Sequence, residues 1–233
     1  MKYLILTLIG LVVLFILSSC GLIYTLDPVD EETRKVAKEY SGIYVFDKKL
    51  RDEMYEINVK RYEFFLKEYD KALESKGIKK ESTRKVKYGS PLWKQLSAIS
   101  KDFERKLDET YPKILSNGCV YSHYSYSLEK KYKTNLIQPH LDKIKEYMGK
   151  EAFDKLSGAA VISVYIDKND EIIPLTIQTS VLTTKTTYTI PFGDDKPGWD
   201  ISYEDISGKN VFYLENGKFV KGDAKDYNEM TVR

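Results

Sequence analysis

Apolar side chains recur along this chain with two different periods, and the change falls near residue 158. Before it, Tyr55, Val59, Tyr62, Leu66, Tyr69 and Leu73 alternate steps of four and three, which puts them on one face of a helix. Met54, Ile57 and Phe65 widen that face, and Gly77 supplies a stop. Leu92, Leu96, Ile99, Phe103 and Leu107 repeat the spacing after Ser90-Pro91, a capping residue with proline at the first helical position. Asn117-Gly118 predicts the end of that helix. The two segments are expected to be antiparallel partners joined by the polar connection 75–89, with the tyrosine stripe in core or helix–helix packing. Shorter helices are predicted over 30–40, 139–148 and briefly 151–156, and a short strand over 42–46.

Beyond Gly158 the period drops to two. Ile162, Val164 and Ile166 alternate with Val161, Ser163 and Tyr165; Asp167-Lys168-Asn169-Asp170 is turn chemistry; Ile173, Leu175 and Ile177 resume the alternation. That pattern predicts a hairpin with one face inward. Leu182, Thr184, Thr186, Tyr188 and Ile190 predict a third strand, 191–198 a loop, and 210–214 with 218–220 a hairpin around Asn216-Gly217. The expected fold is α+β: an N-terminal helical hairpin or bundle over 30–157, followed by a small, mostly antiparallel sheet over 158–233. The two regions are expected to pack as one domain.

The amino terminus has a different character. Lys2 is its only charge before Asp27, and 4–17 is an apolar run broken by Thr7 and Gly10. A charged start, an apolar middle and a small-residue exit make an export signal. The exit, Leu17-Ser18-Ser19-Cys20, resembles the lipobox of bacterial lipoproteins. The resemblance implies a signal peptide over 1–19, cleavage after Ser19, and a diacylglycerol thioether and acylated amino group on Cys20. Residues 20–29 then form a tether, and the acyl chains, palmitate among them, hold the protein on a membrane, as more than one chain is needed to do stably. The alternative is an uncleaved helix over 3–26, long enough at about 1.5 Å per residue to cross a core about 30 Å thick. Lys2 before the run and Asp27, Asp30, Glu31 and Glu32 after it put the body outside the cytoplasm either way. Gly21, where an aspartate would retain some lipoproteins in the inner membrane, favours the outer membrane if the source has one.

Across its 233 residues, 42% hydrophobic and 31% charged content excludes both a disordered chain and a multi-span membrane protein. A net charge of +2 gives no nucleic-acid signature. Residues 27–139 carry +5 and 140–233 carry −4, the excess of cations lying in Lys76, Lys79, Lys80, Arg84, Lys85 and Lys87, opposed locally by Glu81. This cluster reads as a solvated loop, with anionic headgroups or a wall polymer as the alternative contact.

With Cys20 acylated, Cys119 stands alone, so no intramolecular disulfide forms. Its three fates are a buried filler, an intermolecular bridge or a nucleophile. Ser116-Asn117-Gly118-Cys119-Val120 resembles the nucleophile motif of L,D-transpeptidases, which implies Cys119 as a nucleophile acting on peptidoglycan. Tyr121 stands where that family has arginine, and His123 and His140 follow the cysteine, whereas the family's histidine precedes it. Cys119 with His123 is the remaining catalytic candidate; a structural histidine is the alternative. Two histidines 17 residues apart give no zinc signature, and 167–171 lacks the EF-hand glycine and distal glutamate, so no metal and no cofactor are expected. Asp194-Asp195 reads as an exposed turn. Residues 161–180 look like the first hairpin of the TonB/TolA-type C-terminal domain, but a threonine-rich run follows where that domain has a helix.

Nineteen tyrosines are many for this length. Tyr121, Tyr124, Tyr126 and Tyr132 form the candidate recognition surface, since tyrosine gives large contact area at little entropy cost. The expectation for function is a lipid-anchored, non-enzymatic envelope protein whose body contacts another envelope protein or peptidoglycan. The alternatives are a Cys119-dependent envelope enzyme and a lipoprotein that excludes a phage or toxin.

Overall fold

Three helices start where a side chain accepts hydrogen bonds from the first turn. In the computed structural model, which describes residues 22–26, 29–79, 83, 86–190 and 198–223, Asp30 accepts from the Thr33 N–H at 2.6 Å and opens α1 (Glu31–Tyr40). Asp47 accepts from the Leu50 N–H at 2.9 Å and opens α2 (Lys48–Ser75). Ser90 accepts from the Trp93 N–H at 3.2 Å, with Pro91 at the first position of α3 (Pro91–Thr110). Each satisfies a donor that the helix itself leaves unpaired. The signal peptide, Cys20, Lys80, Glu81, Arg84 and Lys85 of the cation cluster, and Asp194-Asp195 lie outside the described residues.

Helix α2 stops as the sequence predicts. Gly77 takes φ +68°, and the Gly77 and Ile78 N–H groups return to the carbonyls of Glu74 and Leu73. Helix α3 ends at Thr110, short of Asn117-Gly118. Pro112 pushes the residue before it out of the helical region, and Tyr111 sits at φ −132°, ψ 76°. Asn117-Gly118 turns the chain instead: the Leu115 N–H donates to the Cys119 carbonyl, with Gly118 at φ +78°.

The remaining elements are β1 (Leu22–Leu26), β2 (Gly42–Val45), β3 (Val120–His123), α4 (Tyr126–Lys131), α5 (Ile137–Met148), α6 (Lys150–Asp154), β4 (Gly158–Ile166), β5 (Ile172–Ser180), β6 (Leu182–Ile190), β7 (Gly198–Asp205), β8 (Asn210–Glu215) and β9 (Lys218–Lys221). Helix and sheet are mixed and the sheet is mostly antiparallel, an α+β arrangement.

Among the described residues the chain divides into two compact units. The first takes residues up to Gly42, Met148–Gly158 and Thr179–Asn210. It holds a three-stranded antiparallel sheet of order β1-β6-β7. The segment expected as tether thus contains a strand, Leu22–Leu26, and β7 is a strand the sequence pattern leaves unassigned. The third strand of the expected sheet, β6, belongs to this separate sheet. The change of sheet occurs at Val181, which is 2% exposed: its N–H donates to Ser207 Oγ and its carbonyl accepts from the Ile206 N–H. Helix α1 ends against Asn210, whose Nδ2 donates to the carbonyls of Lys38 at 2.9 Å and Ser41 at 2.8 Å.

The second unit takes Ile43–Tyr147, Ala159–Gln178 and Val211 onward. It is built on a six-stranded sheet of order β3-β4-β5-β2-β8-β9, so two strands from the mainly helical region enter the sheet. Asn216 and Gly217 turn β8 into β9 with φ 50° and 81°, the conformation that Asn-Gly predicts. One side packs aromatic rings: Tyr44 stacks on Phe212 at 4.6 Å and meets Phe219 edge-on at 5.0 Å. Leu50, Leu115, Tyr121 and Leu175 form a second cluster. Helices α2 and α3 join through Phe103, 5.3 Å from the Phe65 ring and 5.7 Å from Phe64. Arg61 closes the same pair by donating to the Leu107 and Tyr111 carbonyls and pairing with Asp108 at 2.8 Å.

Candidate functional site

The second unit contains a cleft of about 1070 Å³. One wall is α2, where Arg51, Tyr55, Asn58, Tyr62 and Leu66 recur at steps of three and four on one stripe. The opposite lining comes from the sheet: Ile43 of β2, Val161 to Ser163 of β4, Thr176 and Gln178 of β5, with His123 and Tyr124 at the end of β3. Tyr62 and Leu66 are each 52% exposed, so part of the stripe predicted for packing faces the cleft. Phe64, Phe65 and Tyr69 take the contact with α3.

Arg51 and Glu63 are the charged residues of this wall, and the Arg51 side chain is only 7% exposed. Its Nη1 donates to Asp52 at 2.8 Å, and its guanidinium lies 5.6 Å from the Tyr55 ring. Its Nη2 is buried and meets no acceptor among the described residues. A buried N–H on a cation without a partner is energetically expensive, and such groups are infrequent in folded proteins. On the sheet side of the lining, Ser163 and Thr176 share a hydrogen bond of 2.7 Å.

The four candidate tyrosines fall in different environments. Tyr121 belongs to the core, 3% exposed, its hydroxyl donating to Asn58 Oδ1 at 2.8 Å; burial pushes that hydroxyl up to about 12. Tyr124 lines the cleft, and burial, then Glu129, raises its pKa. Tyr126 is 70% exposed beneath Lys130 Nζ, 4.5 Å from the ring centre, and Tyr132 meets Lys131 in the same way at 4.8 Å.

The catalytic candidates are kept apart. Cys119 leads into β3, and His123 is its last residue. Four residues of extended chain separate them by roughly 13 Å, far beyond hydrogen-bond reach. His123 lines the cleft, whereas Cys119 is a half-buried free thiol in the turn before the strand. The string 116–120 acts there as turn chemistry: Asn117 Oδ1 accepts from the Cys119 N–H at 2.9 Å, and Ser116 donates its N–H and hydroxyl to Glu53. These two donors hold the Glu53 carboxyl below its usual range. Asp167 likewise accepts from the Asn169 and Glu171 N–H groups as a hairpin turn, and its pKa is lowered by them. Among the described residues no three His, Cys, Asp or Glu side chains gather as a metal site. None of their helices is long and apolar enough to cross a membrane.

Arg51, Asn58, Thr176 and Gln178 are site residues that sequence reasoning missed. One signal was present: Arg51 lies four residues before Tyr55, a cation in register with an apolar stripe. Compared with known families, with curated proteins and with solved structures, the chain matches none.

Proposed function

We propose that this chain is a lipid-anchored, extracytoplasmic envelope protein of binding type, tethered through Cys20, with the α2–sheet cleft as its ligand site. The observation that carries the binding reading is Arg51: a buried guanidinium with an unused donor, in a cleft lined by Tyr55, Tyr62, Leu66 and Ile162. Such a lining suits a ligand with an apolar body and one acidic group. The acidic group reaches Nη2 after a rotation of the guanidinium, because that atom exposes almost no surface. The helical hairpin expected ahead of the sheet serves in this reading as the wall that shapes the cleft. The tether places the ligand, an envelope amphiphile or a wall-derived fragment, within reach of the membrane on the far side from the cytoplasm.

Two measurements test the proposal. Radiolabelled palmitate enters the wild-type chain and not Cys20→Ser; incorporation into neither removes the lipid anchor. Anilinonaphthalene sulfonate binds the wild-type protein, and Arg51→Met weakens it about tenfold or more, as the loss of a charge-assisted hydrogen bond requires. The neutral dye phenylnaphthylamine is unaffected by the same change. Equal sulfonate affinity in both proteins sinks the assignment of the cleft. A thiol probe that labels Cys119 readily, together with a wall-modifying activity abolished by Cys119→Ser, replaces the binding reading with the enzymatic one.

A further inference from the structure

The register of the three-stranded sheet of the first unit sorts most of its apolar residues onto one parity, and those with described side chains are exposed. The register puts Tyr24, Tyr188 and Trp199 in one row across β1, β6 and β7. The next row of the same parity is Leu26, Thr186 and Ile201, with Leu22 paired to Ile190 at one end and Thr184 to Tyr203, then Leu182 to Asp205, at the other. The alternate rows are Ile23, Thr189 and Gly198, then Thr25, Thr187 and Asp200, then Lys185 with Ser202 and Thr183 with Glu204, polar but for Ile23. On the apolar parity Leu182 is 51%, Ile201 64% and Tyr203 80% exposed; on the alternate parity Thr183 of β6 is 7% exposed, while Ser202 and Glu204 of the edge strand β7 are open. Open apolar side chains at Leu182, Ile201 and Tyr203, on the parity to which the register also assigns Tyr24, Tyr188 and Trp199, mark a contact surface.

The position of this face along the chain selects its occupant. Leu22 is two residues after Cys20, a reach of at most about 7 Å. That is comparable with the polar interfacial layer of a bilayer, about 5–7 Å on each side. The corner formed by Leu22 and Ile190 therefore lies at headgroup level. A row of two tyrosines and a tryptophan follows it, the side chains favoured where hydrocarbon meets water. Glu204 lies on the alternate parity, and Asp205 ends the apolar one, at the pair furthest along β6 from Ile190.

We infer that this face of the β1-β6-β7 sheet lies on the bilayer interface, fixing the orientation of the first unit on the membrane. The inference rests on the proposed tether at the amino terminus, and its test separates the two. Tyr203→Cys and Glu204→Cys, each in the full-length Cys119→Ser chain, are labelled with a polarity-sensitive fluorophore in membranes containing brominated lipids, the unsubstituted Cys119→Ser chain serving as blank. Both positions are exposed, and circular dichroism checks that each variant keeps the fold. The label at 203 is expected to shift to the blue and be quenched, and the label at 204 to do neither. Palmitate incorporation is read on the same samples. Incorporation with equal quenching at 203 and 204 overturns the inference and leaves the lipid tether standing. Selective quenching at 203 without palmitate upholds the inference and transfers the tether to the uncleaved apolar run. A blue shift at 203 without quenching overturns it in favour of a second copy covering the face, and the absence of every signal removes both.

Discussion

Asn210 ends α1 with one amide group, and replacing it separates hydrogen bonding from packing. Its Nδ2 donates to the Lys38 carbonyl at 2.9 Å and the Ser41 carbonyl at 2.8 Å, with Glu39 at 3.4 Å. Asn210 is 8% exposed and Ser41 0%, while Lys38 and Glu39 are open to solvent. In Asn210→Ala, water can replace the amide at Lys38 but not at Ser41. Two lost bonds at about 1 kcal/mol each, plus part of the penalty for a buried unpaired carbonyl, give a loss of about 2–4 kcal/mol. For a chain of this size that lowers the melting temperature by roughly 5–15 °C. Asn210→Asp keeps the shape but turns a donor into a carboxylate oxygen against the same carbonyls. It is expected to be worse than alanine at pH 7 and to recover in part as acid protonates it. The assay is thermal unfolding of the purified protein by circular dichroism at pH 7 and pH 4. Should the aspartate variant equal or exceed the alanine variant at pH 7, the donor role of Asn210 is wrong.

Arg51→Met is expected to change stability little, within about 1 kcal/mol, or to raise it, because the unpaired buried donor offsets the weak pair with half-open Asp52 and the contact with Tyr55; a loss above about 3 kcal/mol in urea unfolding would show a structural group instead. Phe103→Ala should cost about 3–5 kcal/mol, since Phe64, Phe65 and Tyr69 all pack on that ring, and fluorescence-detected unfolding reads it. His140 packs edge-on against Phe46 at 4.5 Å, and burial depresses its pKa. The unfolded chain therefore binds the proton first, so stability falls as pH drops from about 6.5 toward the lower folded value. His140→Leu should flatten the melting temperature between pH 7 and pH 5, and an unchanged slope assigns the effect to other groups.

Where a residue's own chemistry dictates the backbone, the fold was legible in the sequence. Ser90-Pro91 opens α3, Gly77 closes α2, and Asn216-Gly217 turns β8 into β9 as their conformational preferences require. Tertiary placement was less accessible. The spacing of Tyr55, Tyr62 and Leu66 is the same whether a helix faces a neighbour or a cleft, so the stripe was legible and its division was not. Strand β1 was hidden because the apolar segment before it dominates the local pattern. Strand β7 does alternate, at Trp199, Ile201 and Tyr203, but the exposed apolar parity lacks the usual sense of inward burial. Arg51 carries its meaning only once the sheet is in place, because an unsatisfied donor is a property of surroundings.

The order of strands in the larger sheet has a consequence for biogenesis. Strand β2 is among the first segments synthesised, yet it lies between β5 and β8, whose residues leave the ribosome more than a hundred positions later. Ile43, Tyr44 and Val45 thus have no ladder neighbour until β5 is made and lack the second until β8 follows near the end of the chain, and such long-range closure is intrinsically slow. On the proposed route of export, a nascent molecule built this way would cross the membrane before its sheet is complete and finish it only on arrival. Chains ending before Asn210 should therefore remain open to protease, however long they are left to mature.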